Sequence, residues 1–544
     1  MRKLKIAILT DSPQIPAWAF DMLLRIREEG YGEIVLNIVN RSPKSSGSAS
    51  PFLYRLYRVI DRFFFKNRHD AFANKNLNDL PNWAVPELLV QPVQQKFTDT
   101  FSAPDLDWIR AQDLDVIIRL GFRILKGDIL QLPKFGIWSF HHGDNRLNRG
   151  GPPCFWEVMQ GEETTGSILQ ILNEKLDDGK VIYRSWSQTD PLSVQRNANT
   201  VFWKSLFFVP REIKNLALMG EEKWQASKEA LQDVPGHYTP PLYRPPGNLE
   251  MLGLGWRLFI RNTLRKRREK QYPAHWEMAC LEFSGHEDWT ILKKKPIRLF
   301  DNPAPQKSFW ADPFPIEHKG DTYLFFEEFD KEKQKGHICC AKLHEGTLTE
   351  KAVILEEAWH LSYPFVFQEQ NDFYMVPESA EAGKLCVYKS SDFPFSWEKT
   401  GVFFEGEAYD PSLWKSGGKF WLFVNQKPHV ACSPFDELNL YWSETLENPV
   451  WHAHPANPIV SDVRNSRPAG RLFSKGGKTY RPSQDSGLRY GHQVGINEIV
   501  RLSETAYEEQ IVSTIGPEIN PGALGIHTFN VMDNRVFVDF YFRK

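Results

Sequence analysis

The chain has 544 residues, 41% of them hydrophobic and 13% aromatic, with a net charge of −2. That is ample apolar material for several buried cores. The near balance of charge excludes a partner recognised mainly by electrostatics, such as duplex DNA. Six cysteines, at 154, 280, 339, 340, 386 and 432, include no C-x-x-C pair, which argues against a disulfide framework or a zinc site, and no metal is predicted. The apolar run behind the basic start MRKLK is too short for a secretory signal. No window reaches the roughly 18 apolar residues of a membrane span, so the expected location is the cytoplasm.

In chain order, residues 3–10 read as a buried parallel strand, 16–29 as a helix and 33–40 as the next strand. Residues 113–119 and 135–140 read as two more strands, and the alternation implies an α/β, Rossmann-like domain with a parallel sheet. No G-x-G-x-x-G follows the first strand, so a dinucleotide is not indicated. Residues 43–75 interrupt the pattern: PKSSGSAS reads as a loop, and FLYRLYRVIDRFFFKNR as a basic, aromatic-rich helix. The Pro-rich stretch 234–248 marks a domain boundary, and 256–270 (WRLFIRNTLRKRREK) carries seven Lys/Arg. Docked or solvated helices are the first reading of both basic segments. Peripheral contact with an anionic membrane is the alternative. The predicted domains are 1–240, a linker with basic helix at 241–274, and 275–544.

The richest segment is 136–179, GIWSFHHGDNRLNRGGPPCFWEVMQGEETTGSILQILNEKLDDG. A strand runs into a His pair, a Gly-Pro loop (Arg149 to Pro153) follows, then Thr165-Gly166, an apolar run and Leu176-Asp177-Asp178-Gly179. This order resembles the catalytic region of the 10-formyltetrahydrofolate-dependent formyltransferases, including methionyl-tRNA, glycinamide ribonucleotide and sugar N-formyltransferases. The resemblance implies a catalytic Asn, His and Asp and 10-formyltetrahydrofolate as co-substrate. Aligned without gaps on the Arg-Gly-x-x-Pro loop, the His is His141, the Asp is Asp177 and the Asn position holds Ser139. A one-residue gap would select His142 and Phe140 instead. The ungapped register keeps a donor at the first position and puts Ser139 and His141 on one side of the strand. Asp178 reads as a solvated neighbour. Ser in place of Asn is a departure, because one preorganised oxyanion donor is typically worth ~10²–10³ in rate; His142 is a candidate second donor. The resemblance further assigns the folate pocket to Leu120, Gly121, Phe122 and Leu125, and, across from them, Leu172 and Leu176.

From about residue 300 short β-rich segments recur. Asp312-Pro313, Tyr363-Pro364, Asp410-Pro411 and Arg467-Pro468 each precede an aromatic-rich strand, and a weaker copy starts at His527. A period of about 50 residues, all strand, argues for blades of a five-bladed β-propeller. The segment HWEMACLEF (275–283) is expected to pair with the last blade and close the ring. Asp312, Asp410, Arg467, Asp485 and His527 are then candidates for a polar, substrate-binding cluster at the channel. The alternative is that each Asp-Pro merely caps a turn. The ADP and YDPSL segments resemble inner-strand motifs of five-bladed glycosidases, whose fourth-blade acid Glu is absent here, where SRPAGR stands. Glu327, Glu328 or Glu378 are possible substitutes between which the sequence does not choose. WADPF, LSYPFVF, DPSLW, SRPAGRLF and GIHTFN resemble the propeller-like N-terminal domain of plant glucosamine inositolphosphorylceramide transferases more closely. The combined expectation is formyl transfer to an amino-sugar, nucleotide-sugar or glycan, with no nucleic acid partner. The alternatives are a carbohydrate-active propeller carrying a repurposed formyltransferase fold, and a non-catalytic glycan-binding scaffold.

Overall fold

A computed structural model describes residues 2–42, 50–95, 97–232, 242–282, 289, 292 and 295–543. All but Ser50 of the loop read at 43–50 and most of the Pro-rich stretch at 234–248 lie outside these residues. The chain forms two compact units, Met1–Asn262 with Pro428–Cys432, and Thr263–Lys427 with Ser433–Lys544.

The first unit is built on a seven-stranded sheet: β1 (Leu4–Thr10), β2 (Gly32–Asn40), β3 (Glu87–Val90), β4 (Val116–Arg119), β5 (Ile137–His141), β6 (Thr164–Ile171) and β7 (Lys180–Gln188). Their order is β7-β6-β5-β4-β1-β2-β3. The strands from β5 to β3 run parallel, and β6 and β7 return antiparallel. β1 is buried along nearly its whole length, as a strand covered on both faces must be. The chain leaves β1 toward β2 on one side and reaches β4 on the other. Ligands of open α/β sheets bind at such a switch point, beyond the carboxyl ends of the strands. The helices that matter below are α1 (Ala17–Glu29), α2 (Phe52–Phe64), α3 (Val194–Ser205) and α4 (Phe208–Met219). Gly30 ends α1 in the left-handed conformation that suits glycine. A fifth helix, α5 (Asn248–Gln271), contains the basic run read at 256–270 and begins eight residues before it.

The second unit holds five antiparallel sheets. Each of the first three is a four-stranded meander, beginning at Ser308–His318, Ser362–Glu369 and Tyr409–Ser416. In the fourth, Arg467–Pro468 and Phe473–Lys475 lie in line along one side of Lys478–Asp485. The fifth runs Gly525–Met532, Arg535–Arg543, Ala274–Glu282, Ile297–Leu299. The innermost strands of successive sheets touch in a ring that returns from Gly525–Met532 to Ser308–His318, and the fourth sheet meets the fifth through Lys478–Asp485. This is the arrangement of a five-bladed β-propeller. The expected closing strand is present: Ala274–Glu282 pairs antiparallel with Arg535–Arg543 over nine residues, with Met278 opposite Asp539. Met278, Ala279 and Leu281 are wholly buried in that seam.

Three of the four X-Pro positions of the repeat are β-bulges, while Arg467-Pro468 pairs in regular register. Register breaks between Ala311 and Phe314, Ser362 and Phe365, and Tyr409 and Ser412. Asp312, Tyr363 and Asp410 take φ of 54°, 44° and 48° there. A bulge re-aims the side chain it carries, and in these three blades it turns one residue away from the sheet plane.

Candidate functional site

The first unit places its chemistry at the end of β5. Alternation splits the Ser139–His142 run between the two faces of the sheet. His142 stacks on Phe202 with centroids 3.5 Å apart, and its Nε2 lies 2.9 Å from Ser205 Oγ. Burial pushes it down to about 3, so it is a neutral core residue. Its ring packs into the core, away from His141 and Asp177. His141 faces the other way. Its Nε2 lies 2.7 Å from the Asn148 carbonyl oxygen, and its Nδ1 lies 3.5 Å from Asp177 Oδ1. A carbonyl carries no proton, so Nε2–H is the donor and the lone pair of neutral His141 sits on Nδ1, facing the carboxylate. A proton gained at Nδ1 completes an ion pair with Asp177.

Asp177 is held from the Gly-Pro loop. Its Oδ2 accepts from the Gly150 amide at 2.9 Å, and its backbone takes φ 50°. Gly150 has φ 93°, and a Cβ there would lie 2.3 Å from the Tyr243 carbonyl oxygen, so only glycine allows this grip. Asp178 is not merely solvated, since it pairs with Arg149 Nη2 at 2.9 Å. Behind His141, the Asn148 amide donates to Glu157, whose carboxyl burial pushes up to about 7.

Ser139 has a partner that sequence reasoning missed. Arg119, the last residue of β4, donates from Nη1 to Ser139 Oγ at 3.1 Å and from Nη2 to the Phe122 carbonyl at 3.1 Å. Its Nε is buried with no hydrogen-bond partner. Burial lowers the Arg119 pKa, against the opposing pull of Asp177, Asp11 and Asp99. A guanidinium thus stands beside the position where the resemblance calls for a neutral amide. Because Ser139 accepts from Arg119, its own hydroxyl proton is left to donate.

The 120–125 loop crosses the end of β1. A Cβ on Gly121 would lie 2.6 Å from the Asp11 backbone nitrogen, and the Phe122 amide donates to Asp11 Oδ1 at 2.9 Å. Phe122 stacks on Phe101 with centroids 5.5 Å apart, and Leu125 and Leu172 join them in one apolar cluster. Leu120 packs against the cluster on the opposite face of the sheet instead. Leu176 is half-buried beside Asp177 in sequence.

In the second unit the repeat positions meet in two buried knots. His527 Nδ1 lies 2.7 Å from Asp539 Oδ1, and its Nε2 lies 3.4 Å from Asp312 Oδ1. Asp312 also accepts from Thr528 Oγ1 at 2.8 Å and from the Tyr363 amide at 3.0 Å. Burial opposes charge on His527, but Asp539 and Asp312 outweigh it and raise the His527 pKa. The second knot is Asp410, gripped by Arg467 Nε at 2.5 Å and Nη2 at 3.1 Å, with Gln484 Nε2 at 2.8 Å. Asp485 is not part of it. It bonds the Gly487 amide and Gln493, while Gln484, one residue earlier on an alternating strand, points to Asp410. Aromatic rings flank both knots: Trp276 stacks on His527 at 3.9 Å, and Arg467 lies 4.9 Å and 5.1 Å from the Phe435 and Tyr490 ring centres.

The three candidate glutamates separate clearly. Glu328 turns outward to Ser308, Trp310, His337 and Lys351, and these hydrogen bonds outweigh burial and lower its pKa. Glu378 is buried and pushed up to about 7 by burial and by Asp410. Glu327 is buried, its Oε1 has no hydrogen-bond partner, and burial with Asp312, Glu378 and Asp539 raises its pKa well above the usual range. Among the described residues, Asp312, His527 and Asp539 bring three ligand atoms within 4.8 Å of one another, as do Glu328, His337 and Cys339. In both groups these atoms already bond within the protein.

Residues 299–524 match the family described as glucosamine inositolphosphorylceramide transferase 1, N-terminal. The glucosamine inositolphosphorylceramide transferase 1 of Oryza sativa subsp. japonica is 36% identical over 207 residues, 37% of this chain and 28% of that protein. The methionyl-tRNA formyltransferase of Prochlorococcus marinus (strain MIT 9312) is 26% identical over 151 residues, 25% of this chain and 44% of the relative. Among solved structures, a family 117 glycoside hydrolase of Zobellia galactanivorans superposes with a TM-score of 0.33 at 12% identity, over 49% of this chain and 90% of that one. The chain spans less than half the length of both relatives. Its N-terminal region resembles the formyltransferases, and its C-terminal region matches the family of the N-terminal domain of the glucosamine inositolphosphorylceramide transferases.

Proposed function

We propose that the protein is a formyltransferase of glycoconjugate synthesis, moving a formyl group from 10-formyltetrahydrofolate to the amine of an amino sugar. The observation that carries this reading is the His141 Nδ1–Asp177 pair at the carboxyl edge of a parallel sheet, beside the Phe122–Leu125–Leu172 cluster. The stacked Phe101–Phe122 pair and the neighbouring leucines suit a flat heteroaromatic ring. The co-substrate supplies an activated formyl carbon. His141 takes a proton from the attacking amine at Nδ1, Asp177 stabilises the imidazolium, and the proton is then passed to the leaving nitrogen. Ser139 and the Arg119 guanidinium face the oxygen that gains charge, and together replace an amide donor. The relatives named for a glucosamine transferase support a carbohydrate acceptor.

The test is turnover of 10-formyltetrahydrofolate with a panel of amino sugars and their nucleotide-linked forms. His141→Ala and Asp177→Asn should each abolish it, and full turnover in both variants rejects the roles. The buried Glu327 carboxyl, whose Oε1 lacks a hydrogen bond and lies 3.5 Å from His360 Nε2, favours a second reading, glycosidic-bond chemistry in the propeller, with a protonated Glu327 or Glu378 as acid and Asp312 or Asp410 as partner. Sugar turnover that survives both Asp312→Asn and Asp410→Asn rejects that reading.

A further inference from the structure

Two helices leave an apolar face uncovered. α2 exposes Phe52, Leu56, Val59, Ile60, Phe63 and Phe64, whose spacing of four, three, one, three and one places them on a single face. Its other face is occupied: Leu53, Tyr54 and Tyr57 pack on Phe155 and its neighbours, and Asp61 accepts from the Gln195 amide at 2.7 Å. α5 repeats the design. Met251, Leu254 and Leu258 sink into the same cluster, while Leu249, Leu252, Trp256, Phe259, Ile260 and Leu264 stay exposed. The Leu53 amide donates to Asn248 Oδ1 at 3.0 Å, so the two helices start side by side. Single exposed leucines are ordinary on a soluble protein. Here Phe64 is 72%, Leu249 86% and Trp256 63% exposed, on adjacent faces that rest on one core and point away from it. Two long apolar stripes that start side by side mark an interaction surface.

Charge identifies the occupant. α5 carries seven Lys/Arg against Glu250 and Glu269, in a chain whose net charge is −2. On α2, Arg55, Arg58 and Arg62 flank the exposed stripe, and the single acid, Asp61, faces inward. A second copy docked by a twofold axis would bring these cations against each other. A bilayer surface takes the apolar stripe at the acyl boundary and the flanking cations at anionic headgroups. No helix among the described residues is long and apolar enough to cross a membrane. We propose that α2 and α5 form a monotopic docking surface for a membrane rich in anionic lipid. This inference stands on the two helices alone and is independent of the chemistry at His141.

The experiment is flotation of the purified full chain with phosphatidylcholine vesicles, with and without about one-third phosphatidylglycerol. Binding should require the anionic lipid, weaken with salt, and be accompanied by a blue shift of tryptophan emission. Phe63→Ser/Phe64→Ser and Trp256→Ser/Phe259→Ser should each weaken binding by about tenfold or more. Arg267→Glu/Arg268→Glu should weaken it about fivefold or more per residue. Melting temperature should be unchanged in all three, because every substituted side chain is exposed. Failure of the wild type to float with anionic vesicles overturns the proposal. So does flotation that the apolar substitutions leave intact, or a wild-type dimer that Phe63→Ser/Phe64→Ser converts to monomer.

Discussion

Glu378→Gln should stabilise the second unit at pH 8 and leave it unchanged at pH 4. Glu378 is buried, with Oε1 accepting from the Ala380 amide at 2.8 Å and Oε2 within 3.0 Å of Ser362 Oγ. Burial, then the Asp410 charge, pushes its carboxyl up to about 7 from the ordinary 4.5, although Arg467 and both hydrogen bonds pull the other way. Between those values the folded chain holds a proton that the unfolded chain has released, so stability falls as pH rises through the window. The cost is roughly 1.4 kcal/mol per pH unit, or about 3 kcal/mol in all. Glutamine is neutral throughout and keeps both contacts, its oxygen toward Ala380 and its NH₂ toward the Ser362 oxygen. At pH 8 the variant should melt about 6 °C higher, at ~2 °C per kcal/mol for a unit of this size. Calorimetry of the full chain at pH 4, 6 and 8 reads the difference, in which the carboxylates common to both proteins cancel. An equal shift at all three pH values, or a loss at pH 8, refutes the protonated-glutamate argument.

His141→Ala and Asp177→Asn should lower kcat for formyl transfer by about 10²–10⁴, read by release of tetrahydrofolate, with 5-formyltetrahydrofolate binding retained in calorimetric titration. Arg119→Leu should cost about 10²–10³ in kcat with little change in KM, and equal losses in both would mean it only shapes the pocket. Gly150→Ala drives a methyl into the Tyr243 carbonyl, 2.3 Å from the added carbon, at a φ of 93°; a loss of about 1–3 kcal/mol is expected from thermal unfolding. Leu281→Asp puts a charge into the wholly buried closing seam and should cost about 3 kcal/mol or more, seen as fast amide exchange along Arg535–Arg543.

The parallel sheet and the blade repeat were legible because both follow the period of the apolar residues. β1 is apolar on both faces, and Asp312, Tyr363, Asp410 and Arg467 all precede proline. The separation of His141 from His142 was legible too, since two-residue alternation puts them on opposite faces, as the structure does. What spacing could not give is which member of an alternating strand looks inward. A one-residue ambiguity put Asp485 where Gln484 sits. Asp539, Glu327 and Glu378 come from second strands of their blades, where no Pro marks a bulge, and Trp276 comes from the closing strand, far outside the repeat. Arg119 reads as an ordinary polar strand end until the fold lays β4 against β5. α2 and α5 are apolar on two sides, so amphipathicity alone could not say which side the body covers.

The seam between Ala274–Glu282 and Arg535–Arg543 sets the timetable by which the second unit is made. Its partners lie more than 250 residues apart in the chain. At ~5–20 residues per second of synthesis, the Ala274–Glu282 strand waits roughly 12–50 s on the ribosome for its mate. Four blades can form during that wait, but the fifth cannot, and until it does Ala274–Glu282 keeps an unpaired edge and the neighbouring blades keep an uncovered apolar face. Chaperone demand from this unit should therefore last until residues 535–543 have emerged.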